Sequence, residues 1–158
     1  MSYSLAIETT ATKAEKYEQL LPQVEALVSS ETDLIANMAN TAAVLKEVFD
    51  FWWVGFYLVK EDQLVLGPFQ GPLACTRIPF DKGVCGACYS QDKVMLVPNV
   101  DEFPGHIACS SATKSEIVLP VKDKDGNTIA VLDIDSDKLS DFDEVDQKWL
   151  EQLVKIFG

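Results

Sequence analysis

Apolar side chains recur every three to four residues at both ends of the chain. This spacing, which matches the 3.6-residue period of an α-helix, predicts amphipathic helices over residues 12–28 and 34–48. The same period returns over residues 142–157 and predicts a closing helix, with Ser140 or Asp141 as its N-cap. The chain is therefore expected to begin with a helical hairpin and to end with a helix.

The middle of the chain is patterned for β-structure. The run FWWVGFYLV begins at Phe51, and LVLGPF follows it after a short polar turn, which predicts two antiparallel strands. An Asp-Gly turn separates residues 116–121 from 128–134 and predicts a second hairpin. Further short elements are expected as strands at 74–78 and 94–97, a helix near 83–89 and a long loop over 98–115.

Strands grouped as hairpins predict an α+β fold, with a central antiparallel β-sheet flanked by N- and C-terminal helices. A length of 158 residues is typical of a single domain. We expect one domain over 1–158, with N-terminal helices over about 12–48, the sheet and its loops over about 51–135, and the C-terminal helix over about 142–157.

Charge narrows the classes of partner. The chain carries 13 basic and 25 acidic residues, a net charge of -12, which repels phosphate backbones and anionic lipid headgroups. Neither a signal peptide nor an apolar run long enough to span a bilayer is present in the sequence. We therefore expect no nucleic-acid or membrane binding and a cytoplasmic location, where cysteines rest as thiols unless they do redox or metal chemistry.

The four cysteines allow three interpretations. A thioredoxin-like C-x-x-C at Cys85 and Cys88 fits poorly, because such a motif should follow an early strand of a βαβ unit. Zinc is a better competitor, with Cys85, Cys88, His106 and Cys109 as two paired-ligand clusters. The third interpretation makes one of Cys75, Cys85 and Cys109 a nucleophile that the others resolve. Spacing alone does not choose between zinc and redox chemistry.

Several other polar and aromatic residues are candidates for a site. Asp133 and Asp135 alternate along a strand, so both carboxylates face one side of the sheet, as a solvated surface or as a cation-binding wall. Glu116 begins an apolar strand, where a solvated strand end is the more common outcome and burial would raise its pKa. Trp53 and Tyr57 share one strand face, and core packing is their simplest interpretation.

The motifs ACTRIPF, GVCG, FPGHIAC, SEIV and LDIDS, taken together, resemble the free methionine-(R)-sulfoxide reductases, which are small GAF proteins. The similarity covers nearly the whole chain from about Tyr17. It implies a GAF-like fold and an oxidoreductase that reduces free L-methionine (R)-sulfoxide through a cysteine sulfenic acid and an intramolecular disulfide. It also implies thioredoxin as reductant, no cofactor, no bound metal and, by analogy with other GAF domains, a homodimer.

The resemblance assigns the redox roles. Cys109 of GHIAC would be the nucleophile, Cys75 of ACTRIPF the main resolving cysteine and Cys85 of GVCG an auxiliary resolving cysteine. Glu116 of SEIV would act as the general acid that protonates the sulfoxide oxygen. Cys88 stands where the family usually has a small residue other than cysteine, so it receives no role.

The resemblance also assigns substrate contacts. Trp53 and Tyr57 would surround the substrate methyl group, and Asp133 and Asp135 of LDIDS would hold its α-ammonium. The α-carboxylate would be anchored by backbone N–H groups near Ile107, Ala108 and Cys109. Two alternatives remain at this point: a non-catalytic GAF module that binds a small ligand, which usually occurs in longer chains, and the zinc-binding protein described above.

Overall fold

The computed structural model describes residues 4–106 and 109–158. Two helices open the chain, α1 over Lys13–Ser29 and α2 over Leu34–Phe49. Thr12 caps α1 in a reciprocal capping box with Glu15, and the Asp33 side chain caps α2, so both helices begin where a side-chain oxygen can accept from their first free N–H groups. The predicted helical hairpin is confirmed.

A six-stranded antiparallel sheet forms the centre of the fold, in the order β3-β2-β1-β6-β5-β4. The two longest hairpins, β1–β2 and β5–β6, meet through the pairing of β1 with β6, which places the first and last strands in the middle. The strands are β1 Trp53–Lys60, β2 Gln63–Gln70, β3 Arg77–Pro79, β4 Met95–Val97, β5 Ser115–Lys122 and β6 Thr128–Ser136.

Alternating side chains give the sheet two different faces. One face packs against α1, α2 and the C-terminal helix α4, Glu144–Val154, through buried residues such as Phe56, Leu119 and Leu132. The opposite face packs against a short helix, α3, Gly83–Gln91, and the loops around it. The large helical core stabilises the fold, and the smaller second core surrounds the candidate site.

The loop over 98–115 is held at several points. It contains one 3₁₀ turn, Val100–Glu102, in agreement with the expectation of at most a helical turn. The Val100 N–H donates to the carbonyl of Lys114, and the Gly83 N–H at the start of α3 donates to the carbonyl of Gly105. The described part of this loop is therefore closed on itself next to the start of β5 and is tied to α3.

Two element boundaries differ from those expected. The third strand is Arg77–Pro79 rather than 74–78, so Cys75 lies in the connection between β2 and β3 instead of on a strand. The last helix begins at Glu144, because Asp143 rather than Ser140 or Asp141 accepts from the first helical N–H groups. A 3₁₀ turn, Lys155–Phe157, completes the stretch for which helix was predicted.

One buried polar cluster joins the first and last helices. The Asp146 side chain of α4 accepts from the Tyr17 hydroxyl at 2.6 Å and from Lys13 Nζ at 2.8 Å, both from α1. Asp146 is almost completely buried, so these two donors replace the water it has lost. None of the helices in the described parts of the chain combines the length and apolar character needed to cross a membrane.

Candidate active site

Strand register places three carboxyl groups side by side on the α3 face of the sheet. Asp135 of β6 lies between Trp53 of β1 and Glu116 of β5, and Asp133 is opposite Gly55 of β1. Glu116 and Asp133 are 6% and 4% exposed. The expectation that Glu116 is a solvated strand end is therefore wrong, because helix α3 and its loops cover this part of the sheet.

Burial changes the protonation of this cluster. It raises the pKa of Glu116 well above its ordinary value, and the neighbouring charges of Asp133 and Asp135 raise it further. The pKa of Asp135 is raised by burial and then by Asp133. The Oδ1 atoms of Asp133 and Asp135 are enclosed and accept no hydrogen bond from any described residue. The cluster thus contains a carboxylic acid able to donate a proton and carboxylate oxygens that lack a partner.

A disulfide between Cys75 and Cys109 lies beside this cluster, with the two Cα atoms 5.4 Å apart. Cys75 belongs to the β2–β3 connection and Cys109 to the loop before β5, so the bond joins two loops that are 34 residues apart in sequence. Cys109 is exposed and lines the cavity that also contains Glu116 and Asp133. A two-electron redox pair and a proton donor therefore share one cavity.

Two aromatic side chains of β1 form a wall of the cavity. Trp53 and Tyr57 are both buried, and their ring centroids lie 6.0 Å apart. The Trp53 indole N–H donates to the carbonyl of Pro72 at 3.0 Å, and the Tyr57 hydroxyl donates to the carbonyl of Cys75 at 2.9 Å. The aromatic wall thus also holds the loop that carries Cys75, a role for Tyr57 that the sequence did not indicate.

Helix α3 contributes the two free thiols among the described residues, Cys85 and Cys88. Both are buried, and burial is the largest cause that raises the pKa of each thiol. Cys85 Sγ faces the carboxyl cluster and lies 4.0 Å from Glu116 Oε2. In this oxidised form, Cys85 and Cys88 are therefore protonated thiols and not reactive nucleophiles.

Comparisons with known proteins are consistent with this geometry. The GAF domain family matches residues 28–158. GAF domain-containing protein A of Dictyostelium discoideum is 61% identical over 145 residues, 91% of each chain. The free methionine-R-sulfoxide reductase of Escherichia coli (strain K12) is 48% identical over 143 residues, 90% of this chain and 86% of that protein.

A solved structure shows the same likeness in three dimensions. The X-ray structure of the free methionine-R-sulfoxide reductase from Neisseria meningitidis, in complex with its substrate, superimposes with a TM-score of 0.94. It is 53% identical in sequence and covers 99% of this chain and 93% of its own. The chain belongs to the free methionine-R-sulfoxide reductase family of GAF domains. The fold class and the family resemblance drawn from the sequence are both confirmed.

In this GAF reductase the structure brings most of the sequence-predicted site residues together. The shared cavity is lined by Trp53, Tyr57, Cys85, Cys109, Glu116, Asp133 and Asp135, and Cys75 is bonded to Cys109 at its edge. Ile107 and Ala108, named for the carboxylate anchor, lie outside the described residues. Their roles, like those of the other site residues, remain predictions.

The zinc quartet considered from the sequence is not assembled. Cys109 is bonded to Cys75, and Cys88 is buried in the core between α3 and the sheet. Over residues 4–106 and 109–158, the one group of metal-ligating side chains close enough to hold an ion is Cys85, Glu116 and Asp133. The two cysteines of the C-x-x-C motif both lie on α3 but have different neighbours. Cys85 turns towards the carboxyl cluster, and Cys88 packs into the core.

Sequence reasoning overlooked several lining residues. Trp52, Leu73, Val84, Ser110 and Thr113 also contact the cavity. Trp52 was overlooked because neighbouring side chains on a strand face opposite sides, which favours only Trp53 as a wall residue. The remaining four lie near motif cysteines in loops or at the start of α3, where no periodicity marks which side chains turn inward.

Proposed function

We propose that this chain reduces free L-methionine (R)-sulfoxide to L-methionine, with electrons from its own cysteine thiols. The observation that carries the proposal is the Cys75–Cys109 disulfide beside a buried carboxyl cluster within one cavity. The reductases of Escherichia coli and Neisseria meningitidis, which are named for this substrate, are similar over almost the whole chain.

The first chemical step needs a nucleophile and an acid. The Cys109 thiolate attacks the sulfoxide sulfur while Glu116 protonates the sulfoxide oxygen, because an unprotonated sulfoxide is a poor electrophile. The attack joins the Cys109 sulfur to the substrate sulfur. The protonated oxygen then moves to the Cys109 sulfur as this S–S bond and the substrate S–O bond break, which releases methionine and leaves Cys109 as a sulfenic acid. The raised pKa of Glu116 supports this role, because the acid then keeps its proton to a higher pH than an ordinary carboxyl group does.

The second step closes the disulfide. The Cys75 thiol attacks the Cys109 sulfenic sulfur, the S–S bond forms, and the oxygen leaves as water. The short Cα–Cα separation supports Cys75 as the main resolving cysteine. Cys85, named as an auxiliary resolving cysteine, is buried and unbonded here, so this role would require α3 or the Cys109 loop to move.

Recognition of a free amino acid requires groups for both charged ends. We assign the α-ammonium to Asp133 and Asp135, whose enclosed Oδ1 atoms lack hydrogen-bond partners among the described residues. Of the described side chains that line the cavity, none is Lys or Arg. A bound ammonium would therefore supply the missing positive charge, and a peptide-bonded methionine would lack it.

An external dithiol must then reduce the disulfide. Two electrons and two protons restore the thiols of Cys75 and Cys109. Cys85 and Cys88 are poorly suited to supply these electrons, because both thiols are buried and protonated. We therefore propose thioredoxin as the external dithiol. The dependence of steady-state turnover on thioredoxin, thioredoxin reductase and NADPH tests this partner. A homodimer and a cytoplasmic location also remain proposals, and sedimentation velocity of the full chain tests the first.

The decisive experiment is single turnover of the reduced protein with separate (R)- and (S)-sulfoxides of the free amino acid. We expect methionine only from the (R)-isomer. Cys109→Ser should abolish the burst, whereas Cys75→Ser should keep one turnover and recycle more slowly. Ligand binding without any methionine release would instead support the alternative of a non-catalytic GAF ligand-binding module.

A further inference from the structure

The floor of the cavity has the donor atoms of a metal site. The Cys85 thiol and the carboxyl groups of Glu116 and Asp133 are all buried, and each offers a ligand atom within 4.8 Å of the other two. Asp133 Oδ1 accepts no hydrogen bond from the described residues and lies in a side chain that is only 4% exposed. An enclosed carboxylate oxygen without a partner, next to a thiol, suits a cation that accepts both oxygen and sulfur ligands.

The donor set favours zinc over the common hard cations. Thiolate sulfur prefers Zn²⁺, whereas Mg²⁺ and Ca²⁺ prefer sites built only from oxygen. Zinc bonds of about 2.3 Å to sulfur and about 2.0–2.2 Å to oxygen would place tetrahedral ligand atoms roughly 3.3–3.8 Å apart. Since Cys85 Sγ and Glu116 Oε2 are already 4.0 Å apart and no pair exceeds 4.8 Å, the three side chains would each need to move inwards by at most about 1 Å. The cavity leaves the fourth position open to water.

We propose that Zn²⁺ binds Cys85, Glu116 and Asp133 and thereby blocks the cavity as a reversible inhibitor. Binding transfers no electrons: the protons of the Cys85 thiol and of the Glu116 carboxylic acid are released to solvent, the thiolate becomes a ligand, and both carboxyl groups coordinate as anions. The ion occupies Asp133, which the proposed substrate ammonium would also use, and Glu116, the proposed proton donor. Competition with methionine sulfoxide rests on the proposed function, whereas metal binding does not.

This site differs from the zinc quartet that the sequence suggested. It uses one cysteine instead of three, and it exists while Cys75 and Cys109 are joined in a disulfide. The oxidised protein is therefore the right material for a test, because Cys85 and Cys88 are then its only free thiols. Any metal–thiolate signal must come from one of these two residues.

The experiment titrates Co²⁺, a spectroscopic substitute for Zn²⁺, into the oxidised full-length protein. We expect one equivalent to produce the near-ultraviolet charge-transfer band of a cobalt–thiolate bond, and stoichiometric Zn²⁺ to remove it. The band should disappear in Cys85→Ala and persist in Cys88→Ala, a matched loss of a buried thiol from the same helix. Absence of the band in the parent protein, or its survival in Cys85→Ala, would overturn the proposal.

A second variant tests the site even if the Cys85→Ala protein does not fold. Asp133→Asn keeps the thiol, and we expect it to weaken Co²⁺ binding by at least about tenfold, as loss of a zinc-site contact does elsewhere. Near-ultraviolet circular dichroism of the metal-free variants confirms folding. Unchanged Co²⁺ affinity in folded Asp133→Asn would contradict the site, whatever the enzyme assays show. Metal binding with no sulfoxide reduction at all would instead count against the proposed function alone.

Discussion

At the scale of single residues, Glu116 shows how position sets chemistry. Its side chain is an ordinary carboxyl group, but it is removed from water and has Asp133 and Asp135 beside it. Both influences disfavour the charged form, so the pKa rises and the group keeps a proton to donate at a higher pH than an exposed carboxyl group does. A single carboxyl group on an exposed strand end would be ionised and unable to act as an acid.

Glu116→Gln tests this role. We expect the single-turnover rate of methionine formation to fall by about 10²–10⁴-fold, a loss typical of removing a general acid. In the parent protein, the rate should decline as pH rises through the raised pKa of Glu116, because the donated proton is then lost. The variant should lack that decline.

The rate is measured by rapid quench with the reduced protein between pH 5 and pH 9. Glu25→Gln, which changes an exposed carboxyl group on α1, provides the control and should keep the parent rate. A Glu116→Gln protein with the parent rate and pH profile would show that another group supplies the proton.

At the scale of elements, the site depends on the contact between strand β1 and the β2–β3 connection. Trp53 and Tyr57 hydrogen-bond the backbone of Pro72 and Cys75, so a rigid strand holds the loop that carries the resolving cysteine. A thiol that must reach a sulfenic acid benefits from such a fixed position, because its approach then costs less conformational entropy.

Tyr57→Phe removes the hydroxyl and keeps the aromatic ring. We expect closure of the Cys75–Cys109 disulfide to slow by about fivefold, which corresponds to one neutral hydrogen bond of about 1 kcal/mol. Methionine release should change less, because the ring still lines the cavity. The decay of sulfenic acid trapped by dimedone after one turnover measures the effect. Tyr89→Phe on α3 is the control, and equal decay in both variants would contradict this positioning role.

For the α1–α4 contact, we predict an effect on stability and not on activity. Asp146→Ala leaves the buried Tyr17 hydroxyl without its acceptor and leaves Lys13 with Asp143 alone, so we expect the free energy of unfolding to fall by about 2–3 kcal/mol. Urea unfolding of the oxidised protein measures the change. Sulfoxide reduction at 25 °C should stay at the parent rate, because this cluster lies on the other face of the sheet. A stability loss well below 1 kcal/mol would show that water replaces these bonds.

At the scale of the whole molecule, the two faces of the sheet serve different ends. The helical face is built from apolar side chains, whereas the α3 face buries acids and thiols that cost stability when they ionise. Such a cost is typical of active sites, where groups are placed for chemistry rather than for folding. The fold tolerates this loss of stability because its larger apolar core lies on the helical face of the sheet.

The pH dependence of stability follows from that cost. Because the pKa of Glu116 in the folded state exceeds its ordinary value of 4.5, the folded protein holds a proton that the unfolded chain releases. Stability is therefore lost as pH rises from about 4.5 to the folded pKa, at about 1.4 kcal/mol for each pKa unit. Asp135, whose pKa is also raised, acts in the same direction.

Glu116→Gln should remove part of this dependence. We expect the variant to gain stability relative to the parent between pH 5 and pH 8, measured by urea unfolding of the oxidised proteins. Exposed Glu25→Gln should show no comparable gain. A parallel pH dependence in the parent and in Glu116→Gln would mean that Glu116 is not protonated in the folded state.

Much of this architecture follows from local sequence patterns. Amphipathic periods predicted α1 and α2, and alternation placed Asp133 and Asp135 on one side of β6. Boundaries were less certain where short-range signals compete, as at Asp143, which caps α4 in place of Ser140 or Asp141. The family motifs named the cysteines, but the cysteine spacing alone left zinc and redox chemistry equally open.

The sequence by itself determined the elements, the family and the kinds of reactive group, because these depend on local pattern and residue type. Only the tertiary structure decided that Glu116 is buried, that Cys75 and Cys109 are bonded, and that Cys85 rather than Cys88 faces the acids. The physical reason is that burial and pairing arise between segments distant in the chain. Strand register and the docking of α3 set those distances, and no local pattern encodes them.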